Sequence, residues 1–174
     1  MDFSPRQSAT IVAFLLISAA VSQSLYTALY LNAPEVNRLP IWSVEAMIFV
    51  AIAAFASVPM VHSKAFTAAW GALFASAILN VGQVGVGLFM FGPFFDAAEA
   101  VPGMQPAAGA VVAYSFFVYN AAKVLIAFAA LIFGLAHMKA GGGLAKAIGG
   151  LAALVGVIAI IANAASMAAG RDVF

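Results

Sequence analysis

Five stretches of this chain, residues 9–31, 40–61, 66–91, 108–136 and 147–169, are rich in apolar side chains and almost free of charge. Each meets the length of about 20 residues that an α-helix needs to cross a bilayer. No other feature constrains the fold as strongly. Segments buried in lipid must satisfy their own backbone hydrogen bonds, which helices do. The alternating pattern of barrel strands is absent, which argues against a β-barrel. Composition points the same way. Hydrophobic residues make up 66% and charged residues only 7% of the 174 positions, where soluble chains carry about 25% charge. A 17.8 kDa chain with a mean hydropathy of +1.11 has too little interior to hide that surface from water. The expected fold is an all-α, polytopic integral membrane bundle of five transmembrane helices. It forms one transmembrane domain over residues 1–174, with no extramembrane domain. An ordinary soluble domain, a disordered tail and a nucleic-acid binder are excluded, and no nucleic acid is expected among the partners.

The breaks between the runs carry turn and charge signals. Asn32-Ala33-Pro34-Glu35, Arg38 and Pro40 end the first. His62-Ser63-Lys64 is so short that spans two and three should form a tight antiparallel hairpin. Gly92-Pro93 is expected to stop the third span, with a short surface helix over residues 96–100. Gly141-Gly142-Gly143 separates the last two spans. Pro59 lies near the end of span two, where it should kink or begin to end the helix. The fourth run exceeds what a ~30 Å core requires, so it should tilt or protrude.

Lys and Arg in short loops set orientation. With five spans, Arg6, Lys64, Lys139 and Lys146 share one side, against Arg38 and Arg171 on the other. The second side also carries Glu35, Asp96, Glu99 and Asp172. This predicts a cytoplasmic N-terminus and an external C-terminus, in a membrane of the bacterial inner (cytoplasmic) type. The first run also resembles a signal peptide, with Arg6 ahead of it and Ala20-Val21-Ser22 as a small-residue site. Its apolar character continues through Leu31, which favours a retained span.

A weak internal repeat is visible. His62-Ser63-Lys64-Ala65 and His137-Met138-Lys139-Ala140 share a pattern around the two histidines of the chain. In that register Glu45 meets Asn120. After a short insertion at the glycine run, Asn80 meets Asn163 and Gln83 meets Ser166. Two related hairpins, spans 2–3 and 4–5, would then form a pseudo-symmetric four-helix core, with span one added to it. Chance similarity between alanine-rich helices is the competing explanation.

Ionisable groups inside a span are costly and mark a function or a buried partner. There are two, Glu45 in span two and Lys123 near the middle of span four. Ser22, Gln23, Tyr26, Asn80, Gln83, Tyr119, Asn120, Asn163 and Ser166 accompany them. Asn80 and Gln83 are i,i+3 neighbours, and Tyr119 and Asn120 lie within one turn of Lys123, so each set shares a helix face. The candidate ligand-binding residues are therefore Glu45, Asn80, Gln83, Tyr119, Asn120, Lys123 and Asn163, facing one polar pocket open to the exterior. The alternative is an interhelical network that fixes packing, at about 0.6–2 kcal/mol per bond.

Other chemistry is poorly supplied. The chain has no cysteine, so it has no thiolate metal site and no disulfide. His62 and His137 have no carboxylate with them, and neither metal nor cofactor is expected. No nucleophile elbow, zinc-protease motif or P-loop occurs, so no catalytic residue is assigned. Gly82, Gly85 and Gly87, and Gly149, Ala153 and Gly156, are small-residue faces suited to close helix approach. Tyr26, Tyr30, Trp42, Phe66 and Trp70 fit aromatic belts at the two interfaces. The function expected is a small transporter or ligand-binding membrane protein in the lipid bilayer, taking a small ligand and acting as a homo-oligomer or beside other membrane subunits. An accessory or structural subunit of a larger membrane complex is the alternative, and an enzyme acting on lipid or quinone comes third.

Overall fold

A computed structural model describes residues 3–33 and 35–170. Pro34 of the first break, and Arg171 and Asp172 of the charge count, lie outside the described residues. The chain is all-α, with five segments long and apolar enough to cross a membrane. Helix α1 spans Pro5–Asn32, α2 Leu39–His62, α3 Thr67–Phe89, α4 Phe91–Ala100, α5 Gln105–Ala140 and α6 Gly143–Ala169. A 3₁₀ turn, Pro102–Met104, leads into α5.

Local chemistry explains these limits. Ser4 and Gln7 form a reciprocal capping box that satisfies orphan N–H groups at the start of α1, and Pro5 follows in the first turn. The helix then runs unbroken through Ala20-Val21-Ser22. Pro59 removes one internal hydrogen bond from α2, yet the helix continues to His62, where the Ser63 N–H donates to Pro59 O at 2.9 Å. The third span stops at Gly92-Pro93 as expected, α3 ending at Phe89, and the short helix that follows is longer than 96–100. Pro93 brings no N–H for a partner one turn earlier, so the helix breaks at Met90 and restarts as α4. Asp96 and Glu99 of α4 are exposed, while Phe91, Phe94 and Ala98 are half-buried, and α4 lies against α5 and α3. Helix α5 has 36 residues. At 1.5 Å per residue that is about 54 Å, well beyond a ~30 Å core.

Helices adjacent in sequence pack side by side: α1 on α2, α2 on α3, α3 on α5 and α5 on α6. The main buried cluster draws on α1 (Val12, Ala19), α2 (Phe49, Ile52, Ala53, Ala56), α3 (Ala69, Ala72, Leu73, Ala77) and α5 (Ala129). None of it comes from α6. Helices α1 and α6 are the two least buried spans; α1 packs chiefly on α2, and α6 chiefly on α5. For α6 the reason lies in its side chains. Gly149, Ala153 and Gly156 form a narrow stripe that meets α5, while Leu144, Ile148, Leu151, Leu154, Ile158 and Ile161 are exposed. One small-residue stripe docks one neighbour, and the remaining apolar surface suits lipid. At that seam a Cβ on Gly134 would lie 2.6 Å from the Ala153 nitrogen and the Gly149 oxygen. One on Gly156 would lie 2.8 Å from Ala127 O. Only residues without side chains allow the two backbones so close. A Cβ on Gly82 or Gly85 of α3 would meet nothing within 4 Å, so the close helix approach expected there does not occur among the described residues.

Candidate functional site

The inward stripe of α2 is Glu45, Phe49, Ile52, Ala56 and Pro59, all buried at helical spacing. Glu45 is the polar member. It is 5% exposed, and its Oε1 is buried without a hydrogen-bond partner. It lines a cavity of about 800 Å³ between the helices at the end where α1 stops and α2 begins. Helix α1 contributes Gln23, Tyr26 and Thr27 to the wall, α2 Trp42 and Glu45, α3 Gln83, α4 Phe91 and α5 Tyr119.

Lys123 lies beside this cavity and does not line it. It is half-buried on α5. Its ammonium donates to Gln23 Oε1 at 2.8 Å and sits 4.8 Å above the centre of the Tyr119 ring. The ammonium turns to Gln23, and Glu45 Oε1 has no partner. The lysine is thus held by neutral groups, one amide oxygen and one ring face, and the carboxylate is left unpaired. The Lys123–Gln23 bond also ties α5 to α1.

The other polar residues separate into cavity and packing groups. Gln83 reaches the wall and donates through Nε2 to Ser115 Oγ at 3.3 Å. Asn80 is 2% exposed and is absent from the wall. Its amide donates to Ser76 O at 2.9 Å, and its Oδ1 is buried without a partner. Ser76 Oγ donates to Ala122 O at 2.8 Å, which links α3 to α5. Asn120 is buried and donates to Phe116 O on its own helix. Asn163 donates to Ala159 O on α6, which contributes nothing to the cavity wall. Of the seven residues read from the sequence, Glu45, Gln83 and Tyr119 meet on the cavity, and Lys123 stands one hydrogen bond away. Asn80 and Asn120 sit within helix contacts, and Asn163 is distant. Gln23, Trp42 and Ser115 carry more of the site than their sequence setting suggested, and Ser76 more of the packing. Gln23 and Tyr26 do share an i,i+3 face, a signal that points to one wall.

The aromatic residues do more than mark an interface. Trp42 lies 5.9 Å from Tyr26 and 6.0 Å from Phe91, centre to centre. Its ring rests on Gly87, where a Cβ would come within 3.3 Å of it. The absent side chain lets the indole lie against α3 and wall the cavity. The Arg38 guanidinium lies 5.0 Å from the centre of Tyr30 and 5.9 Å from that of Tyr26, in cation–π range.

His62 and His137 are at the opposite end of the bundle. Both are exposed, and their Nδ1 atoms approach Val58 O and Phe133 O on their own helices. Among the described residues no group of three His, Cys, Asp or Glu side chains is placed to hold a metal ion. No family model, curated protein or solved structure matches the chain, so the reading of the site rests on its own geometry.

Proposed function

We propose that the chain is a small ligand-binding membrane protein of the transporter kind, acting as an oligomer, with the cavity beside Glu45 as its site. One observation carries this reading: a buried, unpartnered glutamate oxygen belongs to a residue that lines a cavity of about 800 Å³. A carboxylate kept from water without a partner is destabilising by about 1–3 kcal/mol or more. Such a group is kept in an apolar protein when something else uses it. Cavities of about 300–1,000 Å³ with a few convergent polar groups are the usual form of small-molecule sites. The lysine and arginine distribution supports an N-terminus in the cytoplasm, so the cavity lies in the outer half of the membrane. The reading is one of binding and passage, without catalysis.

Native mass spectrometry of the full chain in mild detergent tests it. A co-purifying small molecule is expected on the wild-type protein and absent from Ala20→Trp, which fills the cavity from α1. The same spectra report the number of copies and any partner subunit. Ligand-free protein in both cases would overturn the reading. The accessory-subunit alternative retains one support, the unfilled face at Gly82 and Gly85. The other small-residue stripe is already occupied by α5.

A further inference from the structure

We infer that the cavity takes an organic cation, an alkyl- or arylammonium ion whose charge meets Glu45 and whose apolar body lies against Trp42, Tyr26 and Tyr119. The inference rests on the reading of the cavity as a ligand site. It follows from the charge and the rings of the wall, where Glu45 is the one charged side chain among Tyr26, Trp42, Phe91 and Tyr119. A hydroxyl has one proton to give and two lone pairs to receive. Ser24 gives its proton to Ala20 O at 2.8 Å, and Thr27 gives its proton to Gln23 O at 2.9 Å. One N–H of the Gln83 amide donates to Ser115 Oγ, and its second N–H is a neutral donor. The nearest ammonium, Lys123, is turned to Gln23 and the Tyr119 ring. Among these wall residues Glu45 alone brings a formal charge, and its buried Oε1 has no hydrogen-bond partner.

Each ligand class meets this wall differently. An anion would meet the like charge of Glu45, with only neutral donors to offset it. A neutral molecule would leave Glu45 uncompensated. A bare metal ion would find one carboxylate where hard cations take 6–8 oxygens, and it would leave most of the volume empty. An ammonium ion satisfies Glu45 and places the negative faces of the aromatic rings against positive charge. Arg38 over Tyr30 and Tyr26, and Lys123 over Tyr119, show such rings receiving cations, and Trp42 is the wall ring left to meet the ligand's charge.

The chain has two tryptophans, so Trp70→Phe leaves Trp42 as the only reporter on the cavity. In that background the full chain, in detergent, is titrated with benzyltrimethylammonium, benzyl alcohol and benzoate while Trp42 fluorescence is read. The ammonium is expected to bind at least about tenfold more tightly than the other two, the strength of one charged contact. Glu45→Gln should remove that preference, and Glu45→Asp, which keeps the carboxylate, should retain it. Circular dichroism shows whether each variant is folded, and Glu45→Asp decides the case if Glu45→Gln is not. Equal or tighter binding of benzoate or benzyl alcohol overturns the cation assignment and leaves the ligand-site reading intact. So does ammonium binding that survives Glu45→Gln unchanged. No response to any of the three also overturns the assignment, and the mass-spectrometric comparison then judges the site separately.

Discussion

Helix α5 has two packing regions that differ in nearly every physical respect. Against α6 it offers Gly134 among small residues, and the backbones meet so closely that no Cβ fits at Gly134, Gly149 or Gly156. Toward α1, α2 and α3, nearer its start, it offers Ser115, Tyr119 and Lys123, and the helices stand apart around a cavity. The first region is held by dispersion between backbones and has no space to lose. The second is held by a few long polar side chains and leaves volume between them. Close packing is readily reached with small residues in a membrane. Looseness around an unpaired carboxylate is therefore a property of the site, and the two regions should respond to substitution with opposite signs.

The largest effect is expected at the tight region. Gly134→Val puts a branched side chain where the nearest neighbours are backbone atoms 2.6 Å away, which cannot turn aside. Overpacking costs about 1–3 kcal/mol, occasionally more, and this site lies at or above the top of that range. Thermal unfolding in detergent should show it as a large fall in the midpoint, with α6 released. Gly82→Val, on a helix face that meets nothing within 4 Å, should change stability by about 0.5 kcal/mol or less. Equal midpoints for the two variants would break the comparison.

At the cavity the sign reverses. Glu45→Leu removes a buried oxygen that has no partner and replaces it with a side chain suited to its apolar neighbours. The folded protein should gain about 1–3 kcal/mol in the absence of ligand. Ammonium binding should be lost at the same time. Gain of stability with loss of function is the mark of a residue kept for use. A Glu45→Leu protein that unfolds earlier than wild type would place Glu45 among the groups that hold the bundle together.

These two glycine stripes also show what a sequence reveals and what it hides. The five spans were legible because about 20 apolar residues is a local property, and Glu45 was legible because an ionisable group stands out in such a run. The partner of a small-residue stripe is not local. Gly149, Ala153 and Gly156 look like Gly82 and Gly85 in sequence, yet one set locks onto α5, and a Cβ on either member of the other would meet nothing within 4 Å among the described residues. That α6 packs chiefly on α5 depends on the same choice of neighbours. Lys123 was conspicuous, but its acceptor Gln23 lies 100 positions away, and no periodicity links them. Asn80, Asn120 and Asn163 were drawn toward the site because polar residues in a span attract attention. Each turns its amide to a carbonyl of its own helix instead, an outlet open to any asparagine in a helix.

Lys123 tests the boundary between the regions. Lys123→Met loses the 2.8 Å bond that joins α5 to α1 and the contact over Tyr119. The expected cost is about 1–2 kcal/mol. In a double-mutant cycle with Gln23→Leu, most of it should appear as coupling, because each change removes the same bond. Additive losses would mean that the α1–α5 contact is carried by other groups.

The smallest effect separates packing polarity from site polarity. Ser76 and Ser115 both join α3 to α5, but in different surroundings. Ser76 donates at 2.8 Å to Ala122 O, away from the cavity wall. Ser115 accepts at 3.3 Å from Gln83, whose side chain also faces the cavity. Interhelical hydrogen bonds of this kind average about 0.6 kcal/mol in membranes, so Ser76→Ala should cost about that much stability and leave ligand affinity unchanged. Ser115→Ala breaks a longer bond and should cost less. It also frees an amide donor at the cavity, which repels an ammonium and lowers its affinity. The two serines should therefore rank in opposite order by unfolding and by binding. A common order in both measurements would mean that the polar contacts between α3 and α5 form one packing network, with no division between scaffold and site.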